Sequence, residues 1–168
     1  MIELVHKIRG CLALATGLFI VGGMAQAAGN DLPAAIDLRA EAAQAAQQGG
    51  PLVILYSRRD CKYCETVKRD YLKPLATQPR HRDKLLVRQI NQDSDQALVD
   101  FRGETTTHAR FATGEKIKLV PVVAFYGPNG RRLADSIVGA RLPDFYPSYL
   151  ETAIEQSTAA LKAKPPAH

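Results

Sequence analysis

Two apolar stretches dominate the chain, and they differ in kind. The first, Cys11 to Met24, is nearly free of polar groups and follows the basic residues His6, Lys7 and Arg9. Ala25-Gln26-Ala27 then supplies the small residues a signal peptidase needs. Charge, apolar run and cleavage site in that order form a secretory signal peptide. The run is shorter than the roughly 20 residues of a membrane span. Residues 1–27 are therefore read as a signal peptide cleaved after Ala27, with an uncleaved inner-membrane anchor facing the periplasm as the alternative. The second stretch, Leu52-Val53-Ile54-Leu55-Tyr56, is short and rich in β-formers. It reads as a central strand buried on both faces.

Around that strand the pattern alternates. A helix is expected from Leu32 to Gln48, capped by Asp31, with Pro33 at an early position and Gly49-Gly50 closing it. The Ala-rich stretch Ala40 to Ala46 favours helix by propensity. A second helix is expected from Cys61 to Leu72, with Asp60 as its N-cap. Pro74 should end or kink it, because Lys73 is pushed out of the α region. Leu85 to Ile90 reads as a strand, Asp93 to Gly103 as a loop or insertion, and Thr105 to Thr113 as a helix. Val120 to Tyr126 is a third strand. Gly127-Pro128-Asn129-Gly130 turns it back into Arg131 to Val138 as a hairpin. A last helix runs from Pro143 to Leu161, with Leu142, Phe145, Leu150 and Ile154 on its apolar side and Pro147 removing one bond near its start. The domain spans residues 28–162, followed by a Pro-containing tail, 163–168, expected to be disordered.

Composition narrows the class. The chain has 168 residues, 46% hydrophobic and 23% charged, which suits one globular domain. Its net charge of +5 is scattered, without the basic run of a nucleic-acid arm, so no nucleic-acid partner is expected. Removing the signal takes away Lys7, Arg9 and Glu3, leaving 20 basic and 16 acidic residues, a charge of +4. Cys11 leaves with it. The two remaining cysteines, Cys61 and Cys64, would then face an oxidising compartment. A structural crosslink there gains most by closing a long loop, and two cysteines three apart close almost none. They read as a working pair.

Disulfide exchange needs an accessible thiolate and a second thiol to release the partner. A helix N-terminus favours the thiolate. Cys61 would sit at that end, exposed, and Cys64 one turn on, shielded. Cys61 is therefore the expected attacking sulfur and Cys64 the resolving one. Lys62, Arg58 and Arg59 add positive charge nearby and Asp60 opposes it. A zinc site would need two further ligands. The mature chain offers His81, His108 and His168, no two at ligand spacing, so neither metal nor other cofactor is expected. His81 reads as part of a surface connection and His108 as part of a short polar helix. Glu65 reads as a solvated helix-surface residue, with a proton-shuttle role as its functional alternative. A proline at the mouth of a strand, Pro121, fits either an edge position or a cis bond beside the cysteines. Spacing alone leaves both open.

From Pro51 to Ile154 the chain resembles the thioredoxin superfamily. The resemblance rests on Leu52 to Tyr56, Cys61-Lys62-Tyr63-Cys64, Val120-Pro121 running into Val122 to Tyr126, Asn129-Gly130 and Val138-Gly139-Ala140. Within it, Tyr63 before the second cysteine and the insertion Asp93 to Lys118 are similar to periplasmic thioredoxin-related proteins of sulfur-oxidation systems. The resemblance implies an α/β thioredoxin-like fold, a central mixed β-sheet flanked by helices. It implies a cis Pro121, and a groove of Val120, Pro121, Gly139 and Ala140 that holds a partner's extended segment by strand-like pairing. Lys62 and Tyr63 would tune the thiolate. Two departures stand out. Such proteins in the cytosol carry a buried Asp six positions before the first cysteine, where this chain has Leu55, and the accompanying Lys falls near Gln89. The usual proton shuttle is missing.

Three functions share these residues. One is a reductase of periplasmic protein disulfides fed by a membrane thiol electron donor. Another is a disulfide oxidase or isomerase for folding proteins. The third is a non-catalytic module that binds metal or protein through its thiols.

Overall fold

Why Leu52–Ser57 forms the centre of the molecule is plain from its neighbours in the computed structural model, which describes residues 32–140 and 143–163. This strand, β1, is buried at every position. It pairs in parallel with β2 (Leu86–Asn91) and antiparallel with β5 (Val122–Tyr126), which pairs antiparallel with β6 (Arg132–Val138). The order is β2-β1-β5-β6. Val53, Leu55, Val123 and Phe125 point to one face, covered by Val67, Leu72, Leu75 and the last helix's Tyr146, Leu150 and Ile154. Leu52, Ile54, Tyr56, Ala124 and Tyr126 point to the other, covered by Leu38, Ala42, Leu98, Phe101 and Ala112. Apolar contacts on both faces are why the run does not alternate. The result is the central mixed sheet flanked by helices that the sequence implies. Residues 1–27, expected to be a signal peptide, Asp31, Leu142 and residues 164–168 of the tail lie outside the described residues. Among those described, no helix is long and apolar enough to cross a membrane.

Several boundaries differ from expectation. The first helix, α1, spans Leu38–Gln47 rather than starting at Leu32. Asp37 is its cap, its side chain accepting the Ala40 N–H at 2.9 Å. The residues before it run extended along the outer edge of β2. Ala35 donates to Gln89 and Gln89 to Pro33, both at 2.9 Å. Burying Leu32 and Ala35 while closing a sheet edge outweighs any local preference for helix. Gly50 is required by close approach, since a Cβ there would stand 2.0 Å from the Lys84 carbonyl oxygen.

The helix after β1 does not stop before Pro74. It runs as α2 (Lys62–Thr66), a π-helical stretch Val67–Leu72, and α3 (Lys73–Thr77). Lys73 is helical, at φ −66° and ψ −50°, and its N–H reaches five residues back to Lys68. The wider turns ahead of Pro74 make room for its ring, so the chain changes helical register instead of leaving the helix. Asp60 is not the cap. It adopts φ 56°, and Cys61 caps α2 in its place.

The insertion holds a small hairpin, β3 (Ala97–Val99) with β4 (Thr105–Thr107). Three β-branched threonines in sequence favour strand over the expected helix start. The helix α4 begins at His108 and ends at Gly114, its first turn bonded to Thr107. A short 3₁₀ turn, Pro128–Gly130, links β5 to β6. The last helix, α5, spans Tyr146–Lys162 rather than starting at Pro143. Pro147 lies in its first turn, where the missing N–H breaks no intrahelical bond. Phe145 is 59% exposed and not on the buried side.

Candidate functional site

Topology gathers the chemistry at one end of the sheet. β1 and β2 finish there, β5 begins there and β6 ends there, since Tyr56 lies opposite Val122 and Val122 opposite Val138. Cys61 follows four residues after the end of β1 and forms a disulfide with Cys64, their Cα atoms 5.2 Å apart. Cys61 is the N-cap residue of α2 with extended backbone, and its Sγ accepts the Cys64 N–H at 3.2 Å. The reactive atom thus occupies the place of the usual capping oxygen. Cys61 is 9% exposed and Cys64 fully buried. Cys61, expected to be exposed, is thus itself largely buried in the disulfide form, though less so than Cys64.

The rim is basic and apolar. Lys62 and Arg58 are exposed and make no ion pair among the described residues, whereas Arg59 is tied to Asp93 at 3.4 Å. Tyr63 projects at 70% exposure. Across from it the Val120–Pro121 bond is cis. Gly139 donates its N–H to the Pro121 carbonyl at 2.8 Å, which joins the two halves of the groove. Its φ of 81° calls for glycine. Val120 is half-buried, and neither its N–H nor its C=O bonds any described backbone group. Ala140 is half-buried against the core, while Leu119 and Val138 stand exposed beside the groove. Val120, Pro121, Gly139 and Ala140 therefore lie together at the disulfide end.

On the strand that leads to the cysteines, Leu55 is fully buried in the same apolar cluster as Val67, one turn beyond Cys64. Three polar side chains lie on this face, of which Ser57 and Asn91 were missed in the sequence. Ser57 is 1% exposed, Gln89 7%, and Asn91 half-buried, with Gln89 paired in register to Leu55 and Asn91 to Ser57. Gln89 Nε2 donates to Asn91 Oδ1 at 2.7 Å. Lys68, four residues after Cys64, is 2% exposed and donates to Glu65 at 2.8 Å. Glu65 is thus held in an ion pair on the helix surface. The i+4 spacing of Lys68 from Cys64 was the only trace of it in the sequence.

Both histidines differ from expectation. His108 is fully buried, its Nδ1 accepting the Asn91 N–H at 3.2 Å and its Nε2 lying 2.9 Å from the Ala35 carbonyl. That pairing puts the proton on Nε2, and the ring ties β2 to the edge segment before α1. His81 is 8% exposed and bonds Glu151 at 3.0 Å. A second network lies on the opposite sheet face. Tyr56 bonds Tyr126 at 2.6 Å, Tyr126 donates to Glu115 at 2.8 Å, and Arg132 donates to the same oxygen at 2.7 Å. Burial pushes both phenols well above their ordinary pKa, so they stay protonated donors. Among the described residues no three His, Cys, Asp or Glu side chains converge as a metal site would require.

Comparison with known proteins supports this architecture. A family described as thioredoxin-like domain matches residues 38–154. Among solved structures, a thioredoxin-fold protein from Helicobacter pylori is similar at TM-score 0.50 and 16% identity, over 68% of this chain and 73% of that one. Mitochondrial thioredoxin 3 of Saccharomyces cerevisiae, in its oxidised form, gives TM-score 0.46 and 19% identity over 72% and 93%. Thioredoxin O2 of Arabidopsis thaliana gives 0.47 and 15% over 70% and 91%. No curated protein matches the chain.

Proposed function

The chain belongs to the family of thioredoxin-like domains and is a thiol–disulfide oxidoreductase; from that premise we propose that it is an exported reductase of protein disulfides. The observation that carries the division of labour is the contrast between Cys61, the helix cap with 9% of its surface exposed, and Cys64, which exposes none. Cys61, as thiolate, attacks a partner disulfide and the partner's first sulfur leaves as thiolate. Cys64 then loses its proton and attacks Cys61. The partner's second sulfur leaves, and the Cys61–Cys64 disulfide seen here is the product. Two electrons have passed to the partner.

The reducing direction is supported by the burial of Cys64. Full burial of Cys64 penalises a thiolate there and favours the uncharged disulfide, whereas a strong oxidant stabilises its reduced form. Export is supported by the signal-like sequence of residues 1–27, and a membrane thiol carrier would return the electrons. Val120 offers two backbone groups that bond no described backbone group for strand-like pairing with the partner, alongside Pro121, Gly139 and Ala140. Lys62 and Tyr63 flank the attacking sulfur and would tune it. Dithiothreitol-driven reduction of insulin should be accelerated by the wild type and lost in Cys61→Ser. Failure of the wild type to accelerate it would leave the oxidase or the binding module as the better reading.

A further inference from the structure

Resolution of the mixed disulfide requires Cys64 to lose a proton from a site with no exposed surface. Its own helix offers the Lys68–Glu65 ion pair, already engaged at 2.8 Å. From β1 and β2 the same face presents Val53, Leu55, Ser57, Val87, Gln89 and Asn91, none of which titrates. From α5 it presents Tyr146, whose phenol burial holds protonated. No described residue on this face is a ready base.

Two atoms on this face are buried without a described hydrogen-bond partner, the Tyr146 hydroxyl on α5 and Gln89 Oε1. Gln89 lies on the strand beside β1, in register with Leu55, and its Nε2 is committed to Asn91. A buried amide oxygen without a donor keeps the full desolvation penalty of that group. Native structures answer such an oxygen with an ordered water when the site has polar neighbours. Ser57 and Asn91 are those neighbours, and half-buried Asn91 opens the cluster toward solvent.

We propose that Gln89 is a positioning residue for resolution: its side-chain oxygen holds the water that accepts the Cys64 proton. The inference rests on Cys64 being the resolving thiol. In the step, the Cys64 S–H bond breaks and its proton passes to that water, then outward past Asn91. Cys64 sulfur bonds Cys61 Sγ. The bond from Cys61 to the partner sulfur breaks, and its electron pair leaves on the partner thiolate. The partner disulfide is the oxidant.

The test needs no protein substrate. Reduced protein mixed with an equivalent of 5,5′-dithiobis(2-nitrobenzoate) releases one coloured thiolate on attack by Cys61 and a second on resolution by Cys64. Gln89→Leu and Gln89→Met should slow the second phase about tenfold at neutral pH and leave the first unchanged, in line with the lower range of proton-transfer effects. Gln89→Glu should restore the second phase and give its pH profile a new titration absent from the first. An unchanged second phase in Leu and Met variants that unfold like the wild type would overturn the proposal. So would equal slowing of both phases, or a wild type that never releases the second thiolate. A wild type that resolves normally here but does not reduce insulin would refute the reductase reading instead.

Discussion

The central sheet carries a buried polar cluster on each face, and the two are built differently. On the α1 side, Tyr56, Tyr126, Glu115 and Arg132 form a chain in which each hydroxyl has a partner, closed by the Arg132 guanidinium 4.5 Å above the Tyr126 ring. On the side of Cys64, Ser57, Gln89 and Asn91 leave an amide oxygen without a donor among the described residues. A completed network fixes a core, whereas an incomplete one is costly wherever no task requires it. The closed cluster lies away from the cysteines and holds the sheet to α4 and β6. The open cluster lies under the redox pair.

That contrast can be broken from either side. The largest effect is expected for Leu55→Asp, which puts a carboxyl beside the open cluster. An uncompensated buried charge should cost about 3–5 kcal/mol in urea unfolding. It should also change the pH dependence of resolution more than that of the first attack. Equal changes in the two would show that position 55 does not serve Cys64. Next comes Tyr126→Phe, which strips the closed cluster of the donor to Glu115. A loss of about 1–3 kcal/mol is expected, with thiol exchange rates unchanged. A change in exchange rate would mean the two faces are coupled. The smallest effect is expected at Asp100, in the β3–β4 hairpin. Burial there would raise its carboxyl, but the backbone N–H groups of Glu104 and Arg102 and the Arg102 charge outweigh it and hold the pKa below the usual range. A depressed folded value contributes stability above the unfolded pKa of about 3.9 and loses it as pH falls through the folded value. Asp100→Asn should therefore flatten the fall in melting temperature below pH ~4 and leave thiol exchange untouched.

What the sequence revealed follows the range of the interactions involved. Leu52 to Tyr56 and the cysteine pair were legible because a double-faced strand and a helix start are written in adjacent residues. The edge strip before α1 was not, because its hydrogen bonds go to β2, more than fifty residues on. His108 read only as part of a short polar helix for the same reason: its partners are Asn91 and the distant Ala35. Tyr56 and Tyr126 meet across seventy positions. Pro74 misled in another way, since a local rule against helix was met by a change of helical register that no local pattern announces. Gln89 was visible only as a departure, and its burial gave it meaning.

Because Cys61 Sγ is also the cap of α2, the chemistry edits the end of a helix at every step. As a thiolate it is a charged acceptor and grips the Cys64 N–H with a charge-assisted bond. As a disulfide sulfur, to Cys64 or to a partner, it is a weak acceptor. The first turn is therefore held most firmly while the reduced protein waits, and most loosely once a partner is attached. That is the moment at which Cys64 must travel toward Cys61, so attachment of the substrate itself releases the catch.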